Sequence, residues 1–338
     1  MASQGLSNQN GGYGRALLNA LYSHIPVFGN VHVVLSTSDV DDTNYQTLQE
    51  LMSPGNGQVR FWTSLNDAYD ACVSNNDDVI LLGGHSTHNI TPIAWTKSRI
   101  HVLGMDGGHR MLQQGAKVQS ATTASTAYVI KLTGVRNSFV NVKFIQSSTQ
   151  ATALNVIQDG SEGTLWKNCS FVFGVVDNLD LTTAHEFLAG SDSATFLNCT
   201  FGNDTLLTSA ARSVFHIDQV TASQEFKSNQ LIDCTFLISS SSATATFVRL
   251  DAVGDILFSN LFKRCTFLAS VDSAGGAAIS EASQTGTSTV KGCLAYDQCS
   301  FFNCTDVTTA TSGRNAATQI VAVSPTAGTA GVGVQPTA

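Results

Sequence analysis

Short apolar stretches alternate with polar positions along most of the chain, and they return at a near-constant interval. LWKNCSF (165–171), TFLNCTF (195–201), QLIDCTF (230–236), LFKRCTF (261–267) and AYDQCSF (295–301) each end in Cys, then Ser or Thr, then Phe. The closing phenylalanines, Phe171, Phe201, Phe236, Phe267 and Phe301, are spaced 30, 35, 31 and 34 residues apart. An earlier copy, SFVNVKF (138–144), carries Val142 in place of the cysteine and lies 27 residues before Phe171. Between the copies runs a second apolar segment: TALNVIQD (152–159), FLAGSD (187–192), VFHID (214–218) and FVRLD (247–251), each closed by an aspartate. Both segment types are short and alternate apolar with polar, which is strand periodicity.

A period near thirty with two or three short strands per repeat predicts an all-β parallel β-helix of about eight coils. At about 4.8 Å per coil the rod would be roughly 40 Å long. The Leu/Asn frame of a leucine-rich repeat and the long helical patterns of ankyrin or tetratricopeptide units are missing. Alternation sends Cys and Phe to one face and the Ser or Thr between them to the other. Cys and Phe are among the residues most often buried. Cys169, Phe171, Cys199, Phe201, Cys234, Phe236, Cys265, Phe267, Cys299 and Phe301 are therefore expected as a structural ladder inside the helix. Stacked cysteines point the same way at about the coil spacing, which suits free thiols better than disulfides at a Cβ separation of about 3.8 Å. Free thiols suit a chain made in a reducing cytoplasm. Cys293, Cys299 and Cys304 are close enough in sequence to leave a pair open.

The solenoid is expected over 59–325. Residues 64–74 predict a capping helix, with Ser64 at its start and Leu65, Ala68, Tyr69 and Cys72 on its apolar side. It would cover the open first coil, which otherwise exposes a row of unpaired backbone groups. DVILLGG (78–84), ITPIAW (90–95) and RIHVLGMDGG (99–108) follow. Residues 1–58 differ in character and are expected as a small α/β adaptor or anchoring segment. It holds possible helices at 14–23 and 43–52 around a VHVVL strand at 31–35, closed by the turn SPGNGQ at 53–58. QIVAV (319–323) reads as a last strand, and 326–338 as a low-complexity tail.

Composition narrows the function classes. The 338 residues carry 17 Lys plus Arg against 25 Asp plus Glu, a formal charge of -8, and only 12% are charged. An acidic chain with few basic residues argues against a nucleic-acid surface, which needs clustered cations. No run approaches eighteen apolar residues, so no bilayer-spanning segment is expected. The start, MASQGLSNQNGGYG, lacks the basic and apolar regions of a signal peptide. The five Asn-x-Ser/Thr sequons, at Asn89, Asn168, Asn198, Asn203 and Asn303, then read as turn chemistry rather than glycan sites.

On the helix before DVILLGG and the NCSF, NCTF, DCTF and RCTF coils, the chain resembles the pectate-lyase-like superfamily of right-handed parallel β-helices over about 64–325. These motifs specify fold better than function, because the architecture serves lyases, hydrolases and non-enzymatic viral spikes alike. Among its members the chain looks most like virion proteins of tailed bacteriophages. The resemblance implies a structural, non-enzymatic capsid decoration or tail appendage made in the host cytoplasm. It also implies a trimeric homo-oligomer partnered with capsid or tail proteins, weak adhesion to host-surface glycans, and no cofactor. The enzymatic alternative is a tail-spike depolymerase that cuts bacterial surface polysaccharide.

Such an enzyme needs paired carboxylates, or a base with a cation. Asp159, Asp192, Asp218 and Asp251 would form an acidic column if they sat at equivalent places on successive coils. Asp218 and Asp251 are then the acid pair, assisted by His216 and Arg249. The plainer reading, that Asp ends a strand because its side chain satisfies the turn backbone, is favoured. NLDL (178–181) poorly matches the Asp-rich run of hydrolase members. Lys263-Arg264 shows no acids beside it in sequence, as a lyase would need. His85 and His88 form His-x-x-His, with His101 and His109 beyond, but no third zinc ligand is placed by spacing, and polar turn residues are the expectation. The glycines of GGH (83–85) and DGGH (106–109) lack the helix and lysine of a phosphate loop. Trp62, Trp95 and Trp166 could be sugar platforms, with packing the expectation.

Overall fold

The computed structural model describes residues 29–36, 60–84, 87–105, 114–173, 183–187, 191–202, 213–217, 226–239, 245–250, 256–269, 279–281, 291–302 and 318–321. Its described strands pair in parallel into three sheets of 12, 8 and 7 strands. Each coil visits the three sheets in turn, as in Ser138–Val140, Lys143–Gln146 and Asn155–Asp159. The eight-stranded sheet takes one strand from each of eight successive coils. This is a parallel β-helix, whose parallel connections follow a right-handed course in nearly all known sheets.

Register aligns Phe144, Phe171, Phe201, Phe236, Phe267 and Phe301 into one column. Successive ring centroids along it lie 5.8, 5.0, 4.8, 4.5 and 4.7 Å apart, and each pair is stacked. A second column, on the 12-stranded sheet, stacks Phe139 on Trp166 at 4.3 Å and Trp166 on Phe196 at 6.1 Å. Together the columns fill the bore with aromatic surface, each fully buried ring contributing roughly 2–3 kcal/mol.

The cysteines stand between these columns. The Sγ atoms of Cys169, Cys199, Cys234, Cys265 and Cys299 donate to the carbonyls of Phe139, Trp166, Phe196, Leu231 and Phe262, one coil earlier, at 3.3–3.7 Å. All five are free thiols, the first four buried. Burial pushes the thiols of Cys199, Cys234 and Cys265 well up. The side chain of Cys293 and all of Cys304 lie outside the described residues.

The residue before each cysteine makes the corner. Asn168, Asn198, Asp233, Arg264 and Gln298 have φ between 52° and 56°, and Asn141 of the earlier copy has 60°. This left-handed conformation turns the chain from the 12-stranded to the 8-stranded sheet, and Asn and Asp tolerate it best among non-glycine residues. The ladder survives the turn, because Asn141, Asn168, Asn198, Asp233 and Arg264 each donate their N–H to a carbonyl of the next coil.

Two expectations about the start of the chain meet different outcomes. The capping helix α1 spans Leu65–Ala71, with Ser64 Oγ accepting from the N–H groups of Asn66 and Asp67 and with Leu65, Ala68 and Tyr69 buried. The Lys97 ammonium closes its other end, donating to the carbonyls of Tyr69, Asp70 and Cys72. The boundary at residue 58, by contrast, does not separate the VHVVL strand from the solenoid. Strand β1 (Val31–Val34) lies in the 12-stranded sheet between β2 (Arg60–Trp62) and β3 (Asp78–Leu82). Both its faces are buried: Val34 joins the bore, while Val33 and Leu35 pack outside with Val79, Leu81, Leu103 and Val140. An apolar strand of this kind needs a neighbour on each edge and cover on each face, which the sheet supplies. The possible helices at 14–23 and 43–52 and the tail 326–338 lie outside the described residues; Thr318–Val321 pairs with Lys291–Asp297 as a last strand.

Candidate functional site

The acidic column does not form across the described residues. Asp159 is in register with Phe187, which pairs with Ile217 and through it with Leu250, so Asp159 occupies a position that is apolar on the following coils. Its carboxylate is fully buried and points inward. Oδ1 accepts from the N–H and Oγ–H of Ser161 at 3.0 and 2.5 Å, and Oδ2 from Trp166 Nε1 at 3.3 Å. Asp192 lies at a different corner, bridged in parallel to Glu162 and Lys227, with its Oδ2 2.6 Å from the Lys227 ammonium. Asp159 holds the turn that follows its strand, whereas Asp192 pairs with a cation one coil on. Asp218 and Asp251 lie outside the described residues, as does NLDL (178–181). His216 and Arg249 are cross-strand partners, and His216 is buried.

One expectation is corrected by register. Lys263 and Arg264 have no acids near them in sequence, yet stacking places one on each neighbouring coil. Arg264 Nε and Nη2 donate to Asp233 Oδ1 and Oδ2 at 2.7 and 2.8 Å, and Lys263 Nζ lies 3.9 Å from Asp297. These pairs are exposed, which limits their worth to a fraction of a kcal/mol.

His85 and His109 lie outside the described residues. His88 is buried, with Nε2 3.1 Å from the Gly83 carbonyl. His101 is buried with Nε2 3.4 Å from Asp77 Oδ1, and Arg99 grips the same carboxylate with Nε and Nη2. Burial lowers the His101 pKa against the opposing pull of Asp77. Trp95 and Trp166 are fully buried and available to no sugar. Trp62 is partly buried and stacks against His32, centroids 6.1 Å apart.

Sequence spacing gives no warning of the cluster beneath the capping helix. His32 on β1, Cys72 at the C-cap of α1 and Asp78 at the start of β3 are all buried, and one ligand-type atom from each lies within 4.8 Å of the other two. Asp78 Oδ1 accepts from Asn30 N at 2.6 Å and Asn76 Nδ2 at 2.7 Å, and Oδ2 from Val73 N at 2.6 Å. Trp62 Nε1 donates to His32 Nδ1 at 3.1 Å, which leaves the ring proton on Nε2. Nε2 has no hydrogen-bond partner among the described residues and lies 3.9 Å from Asp78 Oδ2. Burial lowers the His32 pKa. Burial, with the charge of Asp78, pushes the Cys72 thiol up to about 12. The outer members are 46 residues apart in sequence, so no local motif could announce them.

No family model matches the chain, and no curated protein is similar to it in sequence. Solved structures similar to it include pectin methylesterase PemA from Erwinia chrysanthemi, at 12% identity and a TM-score of 0.41, over 83% of this chain and 80% of that one. The pectin methylesterase from Aspergillus niger aligns at 9% identity and 0.43, over 84% and 90%. Tailspike protein gp49 from Acinetobacter baumannii bacteriophage Fri1, a capsular polysaccharide depolymerase, aligns at 15% identity and 0.38, over 84% of this chain and 50% of that one. TM-scores below 0.5 make these distant likenesses, and the fold rests on the pairing of this chain's own strands.

Proposed function

We propose that the chain is a structural, non-enzymatic virion protein of a tailed phage, a capsid decoration or tail appendage that projects a rigid β-helix. The observation that carries this reading is where the described acids point. Of the four segment-ending acids, the two described ones serve the coil: Asp159 accepts from Ser161 and Trp166, and Asp192 pairs with Lys227. The aromatic column from Phe144 to Phe301 supports it further, since a rod stacked over six successive coils resists bending as a projecting spacer must. Assembly as a trimer, anchoring on capsid or tail proteins and weak adhesion to host-surface glycans belong to the same proposal. The virion setting comes from the sequence resemblance.

The test is the copy number of this chain in purified source particles, by quantitative mass spectrometry against the main shell protein. Abundance comparable to the shell protein supports a capsid decoration, and a few copies per particle a tail appendage. Absence from particles overturns the reading. In the second case a glycan-cleavage assay follows, with Asp218→Asn and Asp251→Asn combined; cleavage lost in that variant would establish the depolymerase alternative.

A further inference from the structure

We infer that His32, Cys72 and Asp78 form a buried site for one divalent cation of the zinc class, which staples β1 and the capping helix to β3. Three ligand types that such an ion accepts together, imidazole nitrogen, thiolate sulfur and carboxylate oxygen, converge from three different elements. Ligand bonds of about 2.0–2.3 Å require a contraction of roughly one ångström from the present separations. The His32 Nε2 atom, wholly buried and without a hydrogen-bond partner among the described residues, is aimed at this point. A soft thiolate beside an imidazole excludes magnesium and calcium, which take oxygen ligands.

Charge favours the same occupant. One thiolate, one carboxylate and one neutral imidazole cancel a double positive charge, so the loaded site is neutral where a net charge would be costly to bury. In the metal-free protein the Asp78 carboxylate is held by N–H donors alone. Three protein ligands leave the fourth tetrahedral position to water.

Proton balance makes the site distinctive. Binding removes the Cys72 thiol proton to solvent. At His32 the Nε2 proton gives way to the metal and the ring carries its proton on Nδ1 instead, so the imidazole releases none. Nδ1–H can no longer accept from Trp62 Nε1, and the partly exposed indole must turn that N–H to water. One proton is released per ion, and Trp62 changes its environment.

The full chain, stripped with a chelator, is titrated with cobalt(II) and then zinc(II). The expected result is one equivalent of tetrahedral cobalt with a thiolate charge-transfer band, displaced by zinc with one proton released per ion bound to the stripped protein. Zinc raises the melting temperature of the wild type and not of Cys72→Ser, whose melting temperature in chelator matches the wild type. Trp62→Phe, which removes the competing donor to Nδ1, binds cobalt at least threefold tighter. Absence of the charge-transfer band overturns the site, as does a band that persists in Cys72→Ser, because the thiol would then be another. Weaker binding by Trp62→Phe overturns the proton rearrangement at His32.

Discussion

Phe236 lies flat on Phe201, ring centroids 4.8 Å apart and planes within 10° of parallel, although 35 residues of chain separate them. Phe267 continues the stack on the other side of Phe236 at 4.5 Å. Phe236 therefore has two partners along the axis, and removing it opens a gap that the strands on either side, held by the ladder, cannot close. Phe236→Ala is expected to cost about 3–5 kcal/mol. Phe301→Ala, at a partly buried position near the far end, should cost less than half as much. Urea unfolding of the two variants checks the order, and equal losses would mean that the column is not a continuous core.

The corner residues supply a backbone test. Asn198 holds φ at 53°, a conformation that β-branched residues resist. Asn198→Val should cost about 1–2 kcal/mol, whereas Asn198→Gly should be close to neutral. Thermal unfolding of both variants decides it; similar destabilisation by Gly and Val would place the effect in the side chain rather than in φ.

Thiol chemistry distinguishes a ladder from a disulfide framework. Cys169, Cys199, Cys234 and Cys265 are buried and donate to carbonyls, and burial holds the last three in the thiol form. These four should resist an aromatic disulfide reagent in the native protein and react in full after unfolding, with no reductant needed. Rapid native labelling of any of them, located by peptide mass spectrometry, would contradict the buried column.

The buried histidines predict a pH dependence of stability. Burial lowers the pKa of His32 and His101 below the ordinary value of about 6.5. The unfolded chain therefore binds protons first as pH falls, and the stabilising contribution, complete above about 6.5, declines from there toward the folded-state values. In chelator, the unfolding free energy of the wild type should fall between about pH 7 and 5. The combined variant His32→Gln and His101→Gln should show a flatter profile over that window. Parallel profiles would mean that other groups set the slope.

At Asp159 the acid is predicted to be structural. Asp159→Asn retains an oxygen for Ser161 but turns an NH2 group toward either the Ser161 donors or Trp166 Nε1–H. The unmade hydrogen bond should cost about 1–3 kcal/mol by chemical denaturation. No measurable loss would return Asp159 to the list of candidate functional acids.

The period of the Cys-Ser/Thr-Phe segments, about thirty residues, specified the stacked coils and the columns of Phe171 to Phe301, because alternation decides which side chains face inward wherever one face is buried. The Ser64 cap was equally local: a hydroxyl two and three residues before the N–H groups it satisfies. Register across coils was not local. The apparent column of segment-ending acids dissolved once Asp159 paired with Phe187, since the spacing between repeats varies from 27 to 35 and a shift in one turn moves every later residue relative to the coil before. The same stacking brought Asp233 to Arg264, which sequence distance had kept apart. Only the tertiary structure placed β1 between β2 and β3, and with it His32 beside Cys72 and Asp78. Strand pairing joins residues by edge and register, whatever their separation along the chain, and that information is held in the assembled sheet rather than in any window of sequence.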